Sequence, residues 1–407
     1  MRNVVAVLGQ PVFVRGGPVP VGYLITVAIV AVGTLCALAP VRRPRPLQML
    51  SYHFGLVANE MPFAAFFYML VLPTLLAFGQ GDIDSAGGWA IVAAATVTTA
   101  GLVVIARRGI GDRTRIEHAM DEGLGAGWRG TLDSGLAQGL RSRPPLVRIL
   151  FHPVYRRRRD VRRVANHSYG DAGRRNLLDV YHSRSRPEGA PVLIHLHGGE
   201  YRHGHKNSQS LPLLYHLAGR GWVCISANYR LRPHAQHPDH LIDLKKIIAW
   251  AREHGHEYGA DPATLFVAGS SAGGHMAALA ALTPNDPDFQ PGFEDADTSV
   301  TGAIYLNGWY GDYFGMGPQS SPLGHITADA PPFLVAHGDL DPLVPVADAR
   351  HFADELRRTS ANPVVYAELR GGNHAFDLYH SFRFEALVDA IEGFTTWVRS
   401  RERTPQP

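Results

Sequence analysis

At 407 residues the chain has room for one large domain and a substantial second part, and 45% hydrophobic against 18% charged residues excludes a disordered polymer. A formal net charge of +3 does not by itself imply a nucleic-acid partner. The two cysteines, Cys36 in an apolar run and Cys224 in a predicted core strand, argue against a disulfide framework.

In chain order, the first features are three uncharged apolar runs, at residues 19–39, 61–79 and 86–106. Each can cross a hydrocarbon core of roughly 30 Å at about 1.5 Å per helical residue. A cleaved signal peptide would be followed by a polar mature chain, whereas here two more apolar runs follow. Pro62 and Pro73 interrupt the second run, which membrane helices tolerate. The sequence therefore predicts a transmembrane region over 1–106. Residues 107–160, rich in Gly and Arg, read as a basic linker with Arg156, Arg157, Arg158 and Arg159 in series. Such a run is a solvated loop or a contact for anionic lipid headgroups. No aromatic interleaving or reading module supports nucleic acid.

From 161 to 400 the pattern alternates. Short β-branched or aromatic runs at 176–181, 191–196, 222–228, 264–268, 302–306, 332–337 and 364–369 predict strands. Between them lie helical stripes: Leu241, Leu244, Ile248 and Ala251; then 274–282; then Val346, Ala349, Phe352 and Leu356; and last Leu387, Ile391, Phe394 and Val398. Alternation of this kind predicts an α/β fold with a mostly parallel sheet covered on both faces. Residues 401–407 read as a tail.

The segment 265–274 contains G-x-S-x-G centred on Ser271, after an apolar strand and before a small-residue helix. A serine on such a turn projects its hydroxyl outward. Ser270 cannot be the centre, because 268 and 272 are alanines. A serine hydroxyl needs a base, and His374 follows the last predicted strand; the base needs a carboxylate, and Asp339 and Asp341 follow the strand before it. The order serine, aspartate, histidine is that of an α/β-hydrolase sheet. His197-Gly198-Gly199 follows an upstream apolar strand, so Gly198 and Gly199, with Ala272, are candidate oxyanion donors. His195, His197, His203 and His205 lack a cysteine or an H-E-x-x-H context, and no metal site or cofactor is expected.

Together with the stretches 221–231, 282–287 and 291–298, these motifs resemble the hormone-sensitive-lipase-like branch of the α/β-hydrolases. More narrowly, the chain is similar to actinobacterial Lip-type carboxylesterases that carry N-terminal membrane helices. The resemblance implies the pattern H-G-x-x-D-x-x-V-P, which selects Asp341 over Asp339 as the triad acid. Two departures stand out: Glu200 replaces the usual small residue after H-G-G, and 307–323 is shorter than the family's insert, a common source of substrate-covering structure.

The expectation is thus a serine carboxylesterase acting through an acyl-enzyme on a small-molecule or lipid ester. The alternatives are an amide or formamide hydrolase like the arylformamidases, and a catalytically silent membrane scaffold. Arg42, Arg43 and Arg45 after the first run and Arg107, Arg108, Arg113 and Arg115 after the third outweigh Arg2 and Arg15. The expected location is therefore the cell membrane, multi-pass, in contact with its lipids and with the catalytic domain cytoplasmic.

Overall fold

The computed structural model describes residues 20–137, 140–141, 143–154 and 157–403. Arg2 and Arg15, Arg156 of the basic run and the tail from 404 lie outside them. Helix α1 (Val21–Leu38) matches the first apolar run. The second forms α3 (Pro62–Gly79), with a π-helical stretch at Ala65–Val71 ahead of Pro73, whose missing N–H interrupts the helical ladder. Two findings depart from expectation. Residues 45–60, where no element is predicted, form α2 (Arg45–Glu60). The third apolar helix also does not stop at 106: α4 runs Ala86–Leu124, so the first part of the expected linker is helix.

At 39 residues α4 is about 58 Å long, nearly twice the thickness of a hydrocarbon core. Its first half is apolar, and its second half carries Ile116, Ala119 and Met120 into the core of the sheet domain. Gly and Arg made 107–124 read as loop, yet that i, i+3, i+4 stripe supplies the burial that keeps it helical. Ser85 caps its start by accepting a hydrogen bond from the Gly88 amide at 3.0 Å.

The sheet has eight strands: β1 (Val161–Ser168), β2 (Leu177–Ser183), β3 (Ala190–Leu196), β4 (Val223–Ala227), β5 (Ala260–Ser270), β6 (Gly302–Leu306), β7 (Phe333–Gly338) and β8 (Val364–Leu369). Their order is β1-β2-β4-β3-β5-β6-β7-β8, antiparallel at β1–β2 and β2–β4 and parallel beyond. Between the strands run α5 (Leu211–Gly219), α6 (Asp239–His254), α7 (Ala272–Leu282) and α8 (Val346–Thr359), and α9 (Phe382–Arg403) follows β8. Helices α6, α7 and α8 cover one face; α5, α9 and the end of α4 cover the other. Buried on both faces, β3, β4 and β6 are apolar without alternation.

The N-terminal helices are fastened to this domain by buried charge. Arg383 of α9 reaches Glu60 at the end of α2 (2.6 Å) and Asp112 of α4 (2.7 Å), with all three side chains withdrawn from solvent. Ser381 donates to Glu60 at 2.7 Å, and Asp112 accepts from the Arg370 amide at 2.8 Å. The carboxylates are therefore hydrogen-bonded as well as paired, which burial demands.

Candidate active site

Ser271 joins β5 to α7 with φ 55° and ψ −119°, a left-handed conformation costing a non-glycine residue about 1–3 kcal/mol. Close packing holds it there. A Cβ on Gly269 would fall 2.1 Å from the Gly273 carbonyl oxygen, and one on Gly273 would fall 2.2 Å from that of Leu196. The two glycines of G-x-S-x-G are therefore demanded by backbone contact. The Ser271 amide donates to Leu306 O at 3.0 Å, fixing the turn against β6.

The loop after β8 carries His374, whose Nδ1 lies 2.6 Å from Asp341 Oδ2. The other oxygen of Asp341 accepts from the Leu343 and Val344 amides at 2.8 and 2.9 Å, and His337 Nε2 stands 3.3 Å from Oδ2. Burial would raise the Asp341 pKa, but His374, His337 and the Val344 amide outweigh it and hold it below the usual value. For His374 burial pulls downward, while Asp341, then Asp377 and Glu200, pull upward, and the net shift is up. Asp339 is placed elsewhere, accepting from the Gly371 amide at 2.5 Å. The acid selected by the resemblance is the one beside His374.

Ser271 and His374 line one cavity of about 280 Å³ with Ala272, Glu200, Tyr201, Trp309, Tyr313, Phe314, Leu343, Val344 and Arg45. Its wall is mostly apolar. Of the three candidate oxyanion donors, Gly199 and Ala272 have amides with no partner among the described residues. Gly198 needs correcting: its N–H donates to Gln209 Oε1 at 2.6 Å, so it is already engaged. Its contribution is clearance, because a Cβ there would stand 2.8 Å from Ser271 Cβ. The Glu200 amide is unpartnered among the described residues and adjoins that of Gly199, in a backbone held at φ 52°.

The Glu200 carboxylate pairs with Arg45 Nη2 at 2.7 Å. Arg45 starts α2, which lies along the site: Gln48 Nε2 donates to Pro342 O at 2.5 Å, and the Tyr52 ring meets His374 edge-on at 6.0 Å. In the short 307–323 stretch only two 3-10 turns form, Pro318–Ser320 and Pro322–His325, so α2 supplies cover that the insert does not. Its residues escaped sequence reasoning because nothing in 45–60 resembles a catalytic motif. Of the upstream histidines, His195 and His197 are buried and held neutral, with pKa values pushed down by burial to about 4 and about 3. His197 stacks on Tyr229 at 4.5 Å.

A serine at a strained strand-to-helix turn, sharing a cavity with a carboxylate-paired histidine and open backbone amides on a mostly parallel sheet, defines a serine hydrolase of the α/β-hydrolase class. Comparison with known proteins narrows the class. The chain is 38% identical over 411 residues to "Probable carboxylic ester hydrolase LipM" of Mycobacterium tuberculosis, covering 92% of each chain. It is 39% identical to "Esterase LipQ" of the same organism over 58% of this chain and 63% of that one. The family model described as BD-FAE matches residues 178–304. In fold alone it is similar to a truncated carbohydrate esterase from gut microbiota, at a TM-score of 0.51 and 21% identity, covering 57% of this chain and 96% of that one. The chain belongs to the Lip-type carboxylesterases of the α/β-hydrolase fold, and it hydrolyses carboxylic esters.

Proposed function

We propose that ester hydrolysis runs through an acyl-enzyme on Ser271. Its Oγ attacks the ester carbonyl while His374 Nε2 takes the proton, and Asp341 holds the Nδ1–H and stabilises the imidazolium. The amides of Gly199, Glu200 and Ala272 receive the oxyanion; His374 returns the proton to the leaving alcohol; water then repeats the sequence on the acyl-enzyme. The observation that carries this reading is the 2.6 Å His374–Asp341 pair in a cavity shared with Ser271. Asp341→Asn leaves the imidazole without its acceptor, so kcat falls by about 10³–10⁴. Asp339→Asn, at a carboxylate bonded to a backbone amide, costs far less. Equal kcat in the two variants, measured on a p-nitrophenyl ester with the detergent-solubilised chain, contradicts the assignment.

The same chain is proposed to span the membrane through α1, α3 and the first half of α4, with the hydrolase domain cytoplasmic. Arg42, Arg43 and Arg45 lie beyond one end of α1, and Arg107, Arg108, Arg113 and Arg115 lie along the continuing half of α4, the distribution that retains a face on the cytoplasmic side. Alkaline phosphatase fused after residue 110 is then inactive and a fluorescent protein fused there is bright; an active phosphatase reverses the orientation.

A further inference from the structure

Among the buried carboxylates that the acyl-transfer steps leave unused, one stands on the His374 loop. Asp377 follows His374 by three residues and is 0% exposed. No Lys or Arg among the described residues pairs with it. Instead Oδ2 accepts from Ser270 Oγ at 2.6 Å and Ser210 Oγ at 2.5 Å, and Oδ1 from Gln209 Nε2 and Asn307 Nδ2, both at 3.4 Å. A carboxylate sealed among neutral donors is expensive to bury, and an amide of the same shape would not carry the charge.

The donors come from three segments behind the site: Gln209 with Ser210, Ser270, and Asn307. Ser270 immediately precedes the proposed nucleophile, and its oxygen also faces His195 Nε2 at 3.3 Å. Gln209 uses its Oε1 to hold the Gly198 amide, so the same side chain ties Asp377 to the oxyanion loop. Asn307 follows β6 directly after Leu306, whose carbonyl receives the Ser271 amide. Ser210 opens α5, and its amide donates to the Asp377 carbonyl at 3.2 Å. One carboxylate thus links the histidine loop, the nucleophile turn and the glycine loop.

We propose that Asp377 is a positioning residue for ester hydrolysis, setting the spacing of these three segments and adding negative charge behind the His374 imidazole. The proposal rests on the reading of Ser271 and His374 as nucleophile and base. The charged and titratable groups facing that imidazole are Asp341 with His337 behind it, Asp377 on its own loop, Glu200 with its partner Arg45, and Tyr52 of α2. Asp377 is the one of these that also bonds the nucleophile turn.

The test is the kinetics of the full-length, detergent-solubilised enzyme across pH. Asp377→Asn keeps the shape and removes the charge. It lowers kcat by about 10–100-fold with KM little changed, because the reacting groups are displaced by a fraction of an ångström. It also moves the acid limb of kcat/KM to lower pH by about half a unit or more, since imidazolium loses a nearby anion. Gln209→Leu keeps the charge and cuts the link between Asp377 and Gly198: kcat falls and the acid limb stays. A merely structural role would lower the unfolding temperature and leave the pH profile in place, and that result overturns the proposal, as does an Asp377→Asn variant with wild-type kcat. Should Asp377→Asn fail to fold, Gln209→Leu and Ser210→Ala carry the test, and full activity in both overturns it. Turnover abolished by Ser271→Ala but unaffected by Asp377→Asn refutes this inference alone; turnover indifferent to Ser271→Ala refutes the nucleophile and this inference with it.

Discussion

At the scale of single residues, the proposed base sets the pH dependence. His374 must be neutral to accept the Ser271 proton, and its pKa is held above the ordinary 6.5 because Asp341, Asp377 and Glu200 together outweigh burial. Raising that pKa extends the protonated, inactive form upward in pH. The acid limb of kcat/KM therefore lies above 6.5 and activity is lost as pH falls through it; a limb well below 6.5 contradicts these electrostatics. The residues proposed for this chemistry were legible in sequence: Ser271 and His374 sit in short motifs after strands, and the family spacing singles out Asp341 from Asp339. Glu200 and Asp377 were not. The departure at Glu200 was visible, but its partner Arg45 is 155 residues away, and no local pattern announces a pair of that separation. Asp377 bonds through tertiary contacts alone. Gly198 was hidden for a related reason: Gly-Gly after a strand marks a tight loop, but the Gly198 amide is taken up by Gln209, and spacing does not reveal that contact.

Among elements, the strands and covering helices of 161–400 followed from hydrophobic periodicity, because buried parallel strands and striped helices print their burial on the sequence. The edge strand β1 and helix α2 did not. In β1 polar residues fall on both faces, Arg163 pairing with buried Asp179 at 2.6 Å and His167 meeting Tyr258 at 3.0 Å, so an edge strand shows no clean alternation. In α2 one face lies on the hydrolase domain through Arg45, Gln48, Tyr52 and Asn59, so its polarity reflects a partner surface rather than water. The Glu60–Arg383–Asp112 cluster is a fully buried tie between these elements. Arg383→Met leaves two buried carboxylates without a counterion and destabilises the fold by about 3–5 kcal/mol. Thermal unfolding in detergent reads this as a lowered midpoint, and an unchanged midpoint refutes the role given to the cluster.

For the whole molecule, the three apolar helices and the hydrolase domain are one construction rather than a domain on a leash. Helix α4 leaves the apolar zone and enters the sheet domain's core without a break, and α2 places Arg45 in the cavity wall and Tyr52 against His374. The N-terminal helical region thus contributes to the proposed site itself. All of this depends on Ser271 being the activated serine. The direct measurement is labelling of the full-length protein with a fluorophosphonate, followed by mass spectrometry to locate the adduct. The account predicts one adduct, on Ser271, lost in Ser271→Ala; an adduct on Ser270, or labelling that survives Ser271→Ala, contradicts it.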